Sequence, residues 1–279
     1  MPDLRPILAR FPLLHDDAGR PLAGRTVDLP VQPMTGGLIN DTYAVGQDHV
    51  LQRLHPIFGA DVNRDIAALV PHLRDAGVRV PAILNADDDL PFVVMDRDAH
   101  PDTPAGVWRM LTRLPGRTLH RLADPAQATS AARLVARFHA ALRPVRHNFA
   151  FSRPGAHDTA AHMATLSAAL ASHAGHRLHG EVVTLSEQLF AAWEAHPGVP
   201  TLPRHIGHGD LKVSNLLFDD AGEACAVIDL DTMAWLGLDA ELGDALRSWA
   251  NRAEEHETVA RLDEDLLRAA VDGYVQQAG

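Results

Sequence analysis

The stretch His208-Gly209-Asp210-Leu211-Lys212-Val213-Ser214-Asn215 is followed, 14 residues beyond Asn215, by Asp229 in Val227-Ile228-Asp229-Leu230-Asp231. Moving a phosphoryl group from a nucleoside triphosphate to a hydroxyl needs a carboxylate beside that hydroxyl. It also needs oxygen ligands for a Mg²⁺ bridging the phosphates. An Asp and an Asn five apart on one loop, with a second Asp at the end of a following hairpin, supply those groups. Mg²⁺ takes few oxygens from a protein and completes its octahedron with phosphate and water. Asn215 and Asp229 are therefore the expected metal ligands, leaving Asp210 to orient and deprotonate the hydroxyl. Lys212 is placed to reach the transferring phosphate and offset its charge. Alone, either motif reads as a turn or an edge strand with solvated carboxylates. In this order, with an apolar hairpin between them, they read as a kinase site.

The elements that must hold these residues change character along the chain. Leu29–Met34 is a short apolar stretch ended by Thr35-Gly36-Gly37, and Asp41–Val45 and His49–Leu54 are β-prone runs around Gly46-Gln47-Asp48. Apolar residues at Val62, Ile66, Leu69, Val70 and Leu73 predict a helix over 61–76 with Gly77 as its C-terminal glycine. Strands are expected over 80–84, 91–95 and 106–114. Beyond Gly116 the chain turns alanine-rich, with helices expected over 126–142, 158–174, 181–195, 240–252 and 258–275. A strand pair, 214–218 and 224–230, interrupts them around Asp219-Asp220-Ala221-Gly222.

The 279 residues carry 25 Lys+Arg against 36 Asp+Glu, a formal net charge of −11, with 46% hydrophobic and 22% charged residues. That is globular composition, and its acidic balance argues against a nucleic-acid binder. A single cysteine, Cys225, forms no internal disulfide. No apolar run reaches the roughly 18 residues that span a bilayer, and the N-terminus lacks a basic region followed by an apolar one. The expectation is a cytoplasmic protein without membrane or nucleic-acid partners. His173, His176 and His179 recur every three residues, but that spacing rotates around a helix and Gly175 interrupts it, so a zinc enzyme is not expected.

These residues resemble the aminoglycoside phosphotransferase/choline kinase superfamily over about residues 34–275. Several segments are similar to the N-acetylhexosamine 1-kinases: 37–43, 50–53, 151–159, 227–232 and 243–247. The resemblance implies an α+β, two-lobed protein-kinase-like fold. Residues 1–114 would form a small β-rich nucleotide-binding lobe, and 115–279 a larger helical lobe with the catalytic loop and acceptor site. It implies ATP as co-substrate, Mg²⁺ as cofactor, and a small-molecule acceptor, with the anomeric hydroxyl of an N-acetylhexosamine among the sugar hydroxyls in question. Asp210 would be the catalytic base, and Asn215 and Asp229 the Mg²⁺ ligands. Gly36–Thr42, with Gly36, Gly37, Asn40 and Thr42, would cover the phosphates, and Thr112–Leu114 would hold adenine as the hinge.

The chain departs from the kinase pattern at its third strand, where Val50-Leu51-Gln52-Arg53 has no lysine. Gln52 and Arg53 fall on opposite faces. Arg53 supplies charge and is slightly preferred, while Gln52 occupies the aligned place. Asp61 and Asp65 are the helix carboxylates that could orient such a group. His157 and Asp158 either contact the sugar or start a helix. Asp231 either assists the metal and substrate or shapes a turn. Asp244 and Arg247, three apart on one helix face, either pair beneath the catalytic loop or line the acceptor pocket. Two other readings stand beside the sugar kinase: an aminoglycoside or other amino-alcohol phosphotransferase, and a nucleotide-binding module without activity, motivated by the missing lysine. The chain also looks short at its C-terminal end for the kinases it resembles.

Overall fold

The computed structural model describes residues 2–11, 25–34, 39–98, 101–153, 155–196, 198, 202–253 and 259–279. A short helix α1 (Arg5–Leu8) precedes the strands β1 (Val31–Pro33), β2 (Asp41–Val45) and β3 (His49–Arg53). Helix α2 (Val62–Asp75) then leads to β4 (Ile83–Leu84), β5 (Val93–Met95) and β6 (Gly106–Thr112). These strands form one antiparallel sheet in the order β1-β2-β3-β6-β4, with β5 also paired to β6. Gly46 turns between β2 and β3 at φ +60°, the left-handed conformation that glycine adopts without strain. One face of the sheet buries Val45, Leu51, Trp108 and Met110 against Ile7, Leu8 and Phe11.

Helix α2 buries the predicted apolar stripe, Val62, Ile66, Leu69, Val70 and Leu73. It ends where Gly77, at φ +75°, sends its N–H to Arg74 and the Val78 N–H returns to Leu73, a glycine-terminated helix stop. Pro71 lies inside the helix and so removes one helical donor.

The helical lobe opens with β7 (Arg117–Thr118) and α3 (Pro125–Leu142). Asp124 caps α3 by accepting from the Gln127 N–H at 3.0 Å. After β8 (Arg204–Gly207), the predicted hairpin appears as β9 (Leu216–Phe218) and β10 (Ala224–Val227). β11 (Ala234–Gly237) follows and pairs back onto β8, then α6 (Leu238–Trp249) and α7 (Glu264–Ala278). The main core gathers Phe138, Ile206, Phe218, Val227, Trp249 and Leu266 with the buried face of α2. α7 crosses α3 closely because residue 273 is glycine: a Cβ there would lie 2.8 Å from the Thr129 carbonyl.

Two compact units result, one of residues 1–151 with 204–279 and one of residues 152–203. Both sides of the 114/115 boundary thus lie within the first unit. The second unit holds α4 (Thr159–Ser172) and α5 (His179–Ala195), joined by a hydrogen bond from the His179 ring to the Leu170 carbonyl at 3.2 Å. Among the described residues, no helix is long and apolar enough to cross a membrane.

The short strands β7, β8 and β11 were not expected from the sequence. At two to four residues each, they are too short to show a period-2 pattern.

Candidate active site

Strand β8 delivers the chain to His208-Gly209-Asp210, and a buried carboxylate fixes the bend. Glu241 on α6 accepts the backbone N–H of His208 at 2.6 Å and of Gly209 at 2.9 Å. The His208 ring donates from Nε2 to the Ile228 carbonyl at 2.8 Å and accepts the Asp210 N–H at Nδ1, 3.3 Å away. Thr232 Oγ1 donates to the His208 carbonyl at 2.7 Å. Gly209, at φ +80°, passes so close to Thr232 that a Cβ would lie 2.4 Å from its carbonyl oxygen, which no side chain could accommodate. Burial alone would raise the Glu241 pKa. The hydrogen bond and charge of His139, with the charge and backbone N–H of His208, overcome this and lower it to about 2. His139 Nε2 donates to Glu241 at 3.2 Å, and its Nδ1 lies 2.9 Å from the Tyr274 hydroxyl.

On this base, Asp210 Oδ2 receives Lys212 Nζ at 2.7 Å and Asn215 Nδ2 at 3.1 Å, and the same amide donates to the Asp210 carbonyl at 2.7 Å. The Asn215 amide nitrogen is thereby turned to Asp210 and its Oδ1 turned away. The Ile228 N–H bonds to the Asn215 carbonyl at 2.9 Å, which brings Asp229 alongside. Asp229 adopts a left-handed conformation, φ +65° and ψ +58°. Its surface is open to solvent although protein crowds it on most sides. That crowding, then the charge of Asp231, raises its pKa against the opposing pull of His208, Arg109 and Lys212. Among the described residues, neither the Asp229 carboxylate nor Asn215 Oδ1 has a hydrogen-bond partner.

Two neighbouring oxygen donors without protein partners, one of them a crowded carboxylate disfavoured as an anion, suit a hard divalent cation. Among the described residues, no three His, Cys, Asp or Glu side chains converge as a metal site of their own. A cation held here would complete its shell with phosphate and water.

The β-sheet contributes a residue that sequence reasoning missed. Arg109 on β6 lies directly opposite Gln52 on β3 and is 2% exposed. Its Nε and Nη2 donate to Gln52 Oε1 at 2.9 and 2.7 Å. Both Nη atoms grip the carboxylate of buried Asp231, with Nη2 2.9 Å from Oδ2. Gln52 Nε2 continues to Thr42 Oγ1 at 3.2 Å. Asn40 Nδ2 donates to Asp231 Oδ2 at 2.9 Å, while Asn40 Oδ1 accepts the His55 N–H.

Of the two β3 candidates, Gln52 is therefore the one that joins the Arg109–Asp231 cluster. Arg53 stands on the other face, pairing with Asp41 at 3.3 Å, partly exposed, because strand alternation admits only one of them. This goes against the sequence preference for Arg53. Neither helix carboxylate orients Gln52. Asp61 pairs with Arg64, and Asp65 accepts from the His147 ring and the Ala150 and Phe151 N–H groups. The α2 residue that does reach the cluster is Asn63, 3.4 Å from Arg109. A lone arginine inside the apolar run Val107-Trp108-Arg109-Met110-Leu111 was the available signal. Asp231 is held wholly by protein partners, which favours its shaping the turn over its meeting a substrate.

The remaining expected residues are more dispersed. Thr112 is buried, exchanging hydrogen bonds with Ala82 through its N–H and its Oγ1. Leu114 packs with Leu217 and Ala226 in a small buried apolar cluster flanked by Ile228. Gly36 and Gly37 lie outside the described residues. In the second unit, His157 takes a left-handed turn, φ +61°, and Asp158 caps α4 by accepting the Ala161 N–H at 2.9 Å. Asp244 and Arg247 do pair, at 2.8 Å, but Arg247 is exposed, so this is not a buried support beneath the loop.

Residues 30–275 match the sequence model of the phosphotransferase enzyme family. The chain belongs to that family. Its fold is similar to that of a mutant aminoglycoside 2′-phosphotransferase-IIIa solved with GDP: 17% identity, TM-score 0.59, 88% of this chain and 76% of that one. It is similar also to the amicoumacin kinase hAmiN solved with AMP-PNP, Ca²⁺ and its ligand: 13% identity, TM-score 0.60, 88% and 72%. A third similar fold is the choline kinase of Cryptosporidium parvum: 15% identity, TM-score 0.55, 90% and 73%. Membership bears out the expected superfamily, the two-lobed α+β fold and the enzyme class, a phosphotransferase with a hydroxyl acceptor. The site that the sequence leads one to expect for such a reaction is the Asp210–Asn215–Asp229 constellation.

Proposed function

We propose that this phosphotransferase is an ATP- and Mg²⁺-dependent small-molecule kinase acting on a sugar hydroxyl, with C1 of an N-acetylhexosamine as the leading acceptor. The observation that carries the kinase part is the division of labour around Asp210. Its Oδ2 is occupied by Lys212 and Asn215, which orients the carboxylate and leaves Oδ1 to accept a proton. Asn215 and Asp229 would hold Mg²⁺, which would supply positive charge to offset that of the phosphates. Asp210 orients the acceptor hydroxyl in line with the γ-phosphorus and takes its proton as the new O–P bond forms and the bond to the β–γ bridging oxygen breaks. The electron pair leaves with ADP. Lys212 offsets charge on the transferring group. In this reading residues 1–114 hold the nucleotide, with Asn40 and Thr42 near the phosphates and Thr112–Leu114 at the base, and 115–279 hold the acceptor. The ATP requirement makes the cytoplasm its compartment.

Support for the sugar comes from the motif resemblance over 37–43, 50–53, 151–159, 227–232 and 243–247. The alternative acceptor, an aminoglycoside, is favoured by fold neighbours solved with kanamycin or streptomycin. ADP release from Mg²⁺-ATP, measured over hexoses, N-acetylhexosamines, aminoglycosides, choline and homoserine, separates the two. Turnover that depends on an N-acetylhexosamine, and falls by about 10²-fold or more in Asp210→Asn, is the expected result. Turnover with aminoglycosides alone moves the assignment to the second reading. If no acceptor stimulates release, the kinase reading fails.

A further inference from the structure

The guanidinium of Arg109 has no donor to spare. Nε and Nη2 meet Gln52, both Nη atoms meet Asp231, and Nη1 reaches Asn63. Such a group cannot serve as a phosphate-binding cation in place of a β3 lysine, and on the face that Arg109 shares, β3 offers the amide of Gln52, Arg53 lying on the other. The cluster instead reaches the turn that presents Asp229. That turn, Leu230–Thr232, follows a left-handed Asp229, a conformation costing an ordinary residue about 1 kcal/mol or more. Two anchors hold it: Thr232 on the His208 carbonyl, and Asp231 under Arg109 and Asn40.

We propose that Arg109 is a positioning residue, which from the β-sheet locks Asp231 and thereby holds Asp229 in its metal-binding pose. In this chain a buried arginine on β6 clamps the metal-binding turn to the sheet, a role separate from the phosphate contact that a β3 lysine would make. The inference rests on the proposed kinase site and adds to it a residue that touches neither nucleotide nor acceptor.

ADP binding measured by calorimetry with and without Mg²⁺ tests it, using wild type, Arg109→Lys, Arg109→Met and the double variant Arg109→Met/Asp231→Leu. The double variant removes both charges together, so no buried ion is stranded and the fold is kept; circular dichroism checks this. In wild type, Mg²⁺ should strengthen ADP binding. In the folded double variant, ADP binding without Mg²⁺ should stay near wild type, while the strengthening by Mg²⁺ falls by about 10- to 100-fold. Arg109→Lys, which keeps the charge but not the fork, should recover part of it. In variants that turn over, kcat should fall more than KM for the acceptor rises.

Full Mg²⁺ strengthening in the folded double variant overturns the proposal. So does a loss of Mg²⁺-free ADP binding with the strengthening intact, since that makes Arg109 a phosphate ligand. If wild-type ADP binding ignores Mg²⁺, the Asn215–Asp229 assignment itself fails, a result distinct from either.

Discussion

Asp210, Lys212 and Asn215 show how much chemistry one short loop can carry. The lysine ammonium sits 2.7 Å from the carboxylate oxygen that also receives Asn215, so the proposed base is oriented before any substrate arrives. Lys212 has a second duty in the proposed reaction, since negative charge grows on the transferring group as the bond to ADP breaks. Lys212→Met is therefore expected to lower kcat by about 10- to 10³-fold with much less change in the KM for ATP; steady-state kinetics with Mg²⁺-ATP checks the split. That these three side chains meet was legible because residues two and five apart on one loop are a local pattern. Arg109 was not, because its meaning depends on Asp231, 122 residues away. Isolated, the arginine only breaks an apolar strand.

At the scale of elements, the His208–Asn215 loop is held by Glu241 on α6, which accepts the two backbone N–H groups of His208 and Gly209. The Glu241 pKa is lowered from 4.5 to about 2. A lowered carboxylate pKa adds stability that is fully present above the unfolded value and is lost as pH falls from about 4.5 to about 2. The shift corresponds to an order of 3 kcal/mol at neutral pH. Glu241→Gln should be destabilised by roughly that amount at pH 7, with the difference from wild type shrinking below pH 4.5. Urea unfolding at pH 7, 5 and 3 measures it. The long elements were readable from periodicity: α2, α3, and the β2–β3 and β9–β10 hairpins lie close to their expected bounds. Glu241 could not be recognised as the loop's support, because an acid in the first turn of a helix reads equally well as a partner of the helix dipole.

For the molecule as a whole, contacts of Asn40 and Arg109 with Asp231 join a sheet made early in the chain to a turn made late. A ligand that engages both should stabilise the first unit as one body. With Mg²⁺-ADP at about 100 times its Kd, linkage predicts about 2.7 kcal/mol of added stability, a rise in melting temperature of several degrees. In Asp229→Ala, the Mg²⁺-dependent part of that rise should vanish while any shift from ADP alone remains; differential scanning calorimetry reads both. The fold class was legible from the switch between β-prone and alanine-rich texture near residue 115. The separation of residues 152–203 as a second unit was not, because its helices carry the same alanine-rich pattern as those of the main unit.

The grip of Arg109 on Asp231 also bears on the order in which the chain is made. A ribosome that has delivered Arg109 must add 122 more residues before Asp231 exists. During that interval the guanidinium has only the neutral oxygens of Gln52 and Asn63 beside it, and a cation so poorly compensated stays hydrated. The nascent sheet therefore cannot seal the face that carries Arg109. That face is expected to close only once the stretch bearing Asp231 has been made.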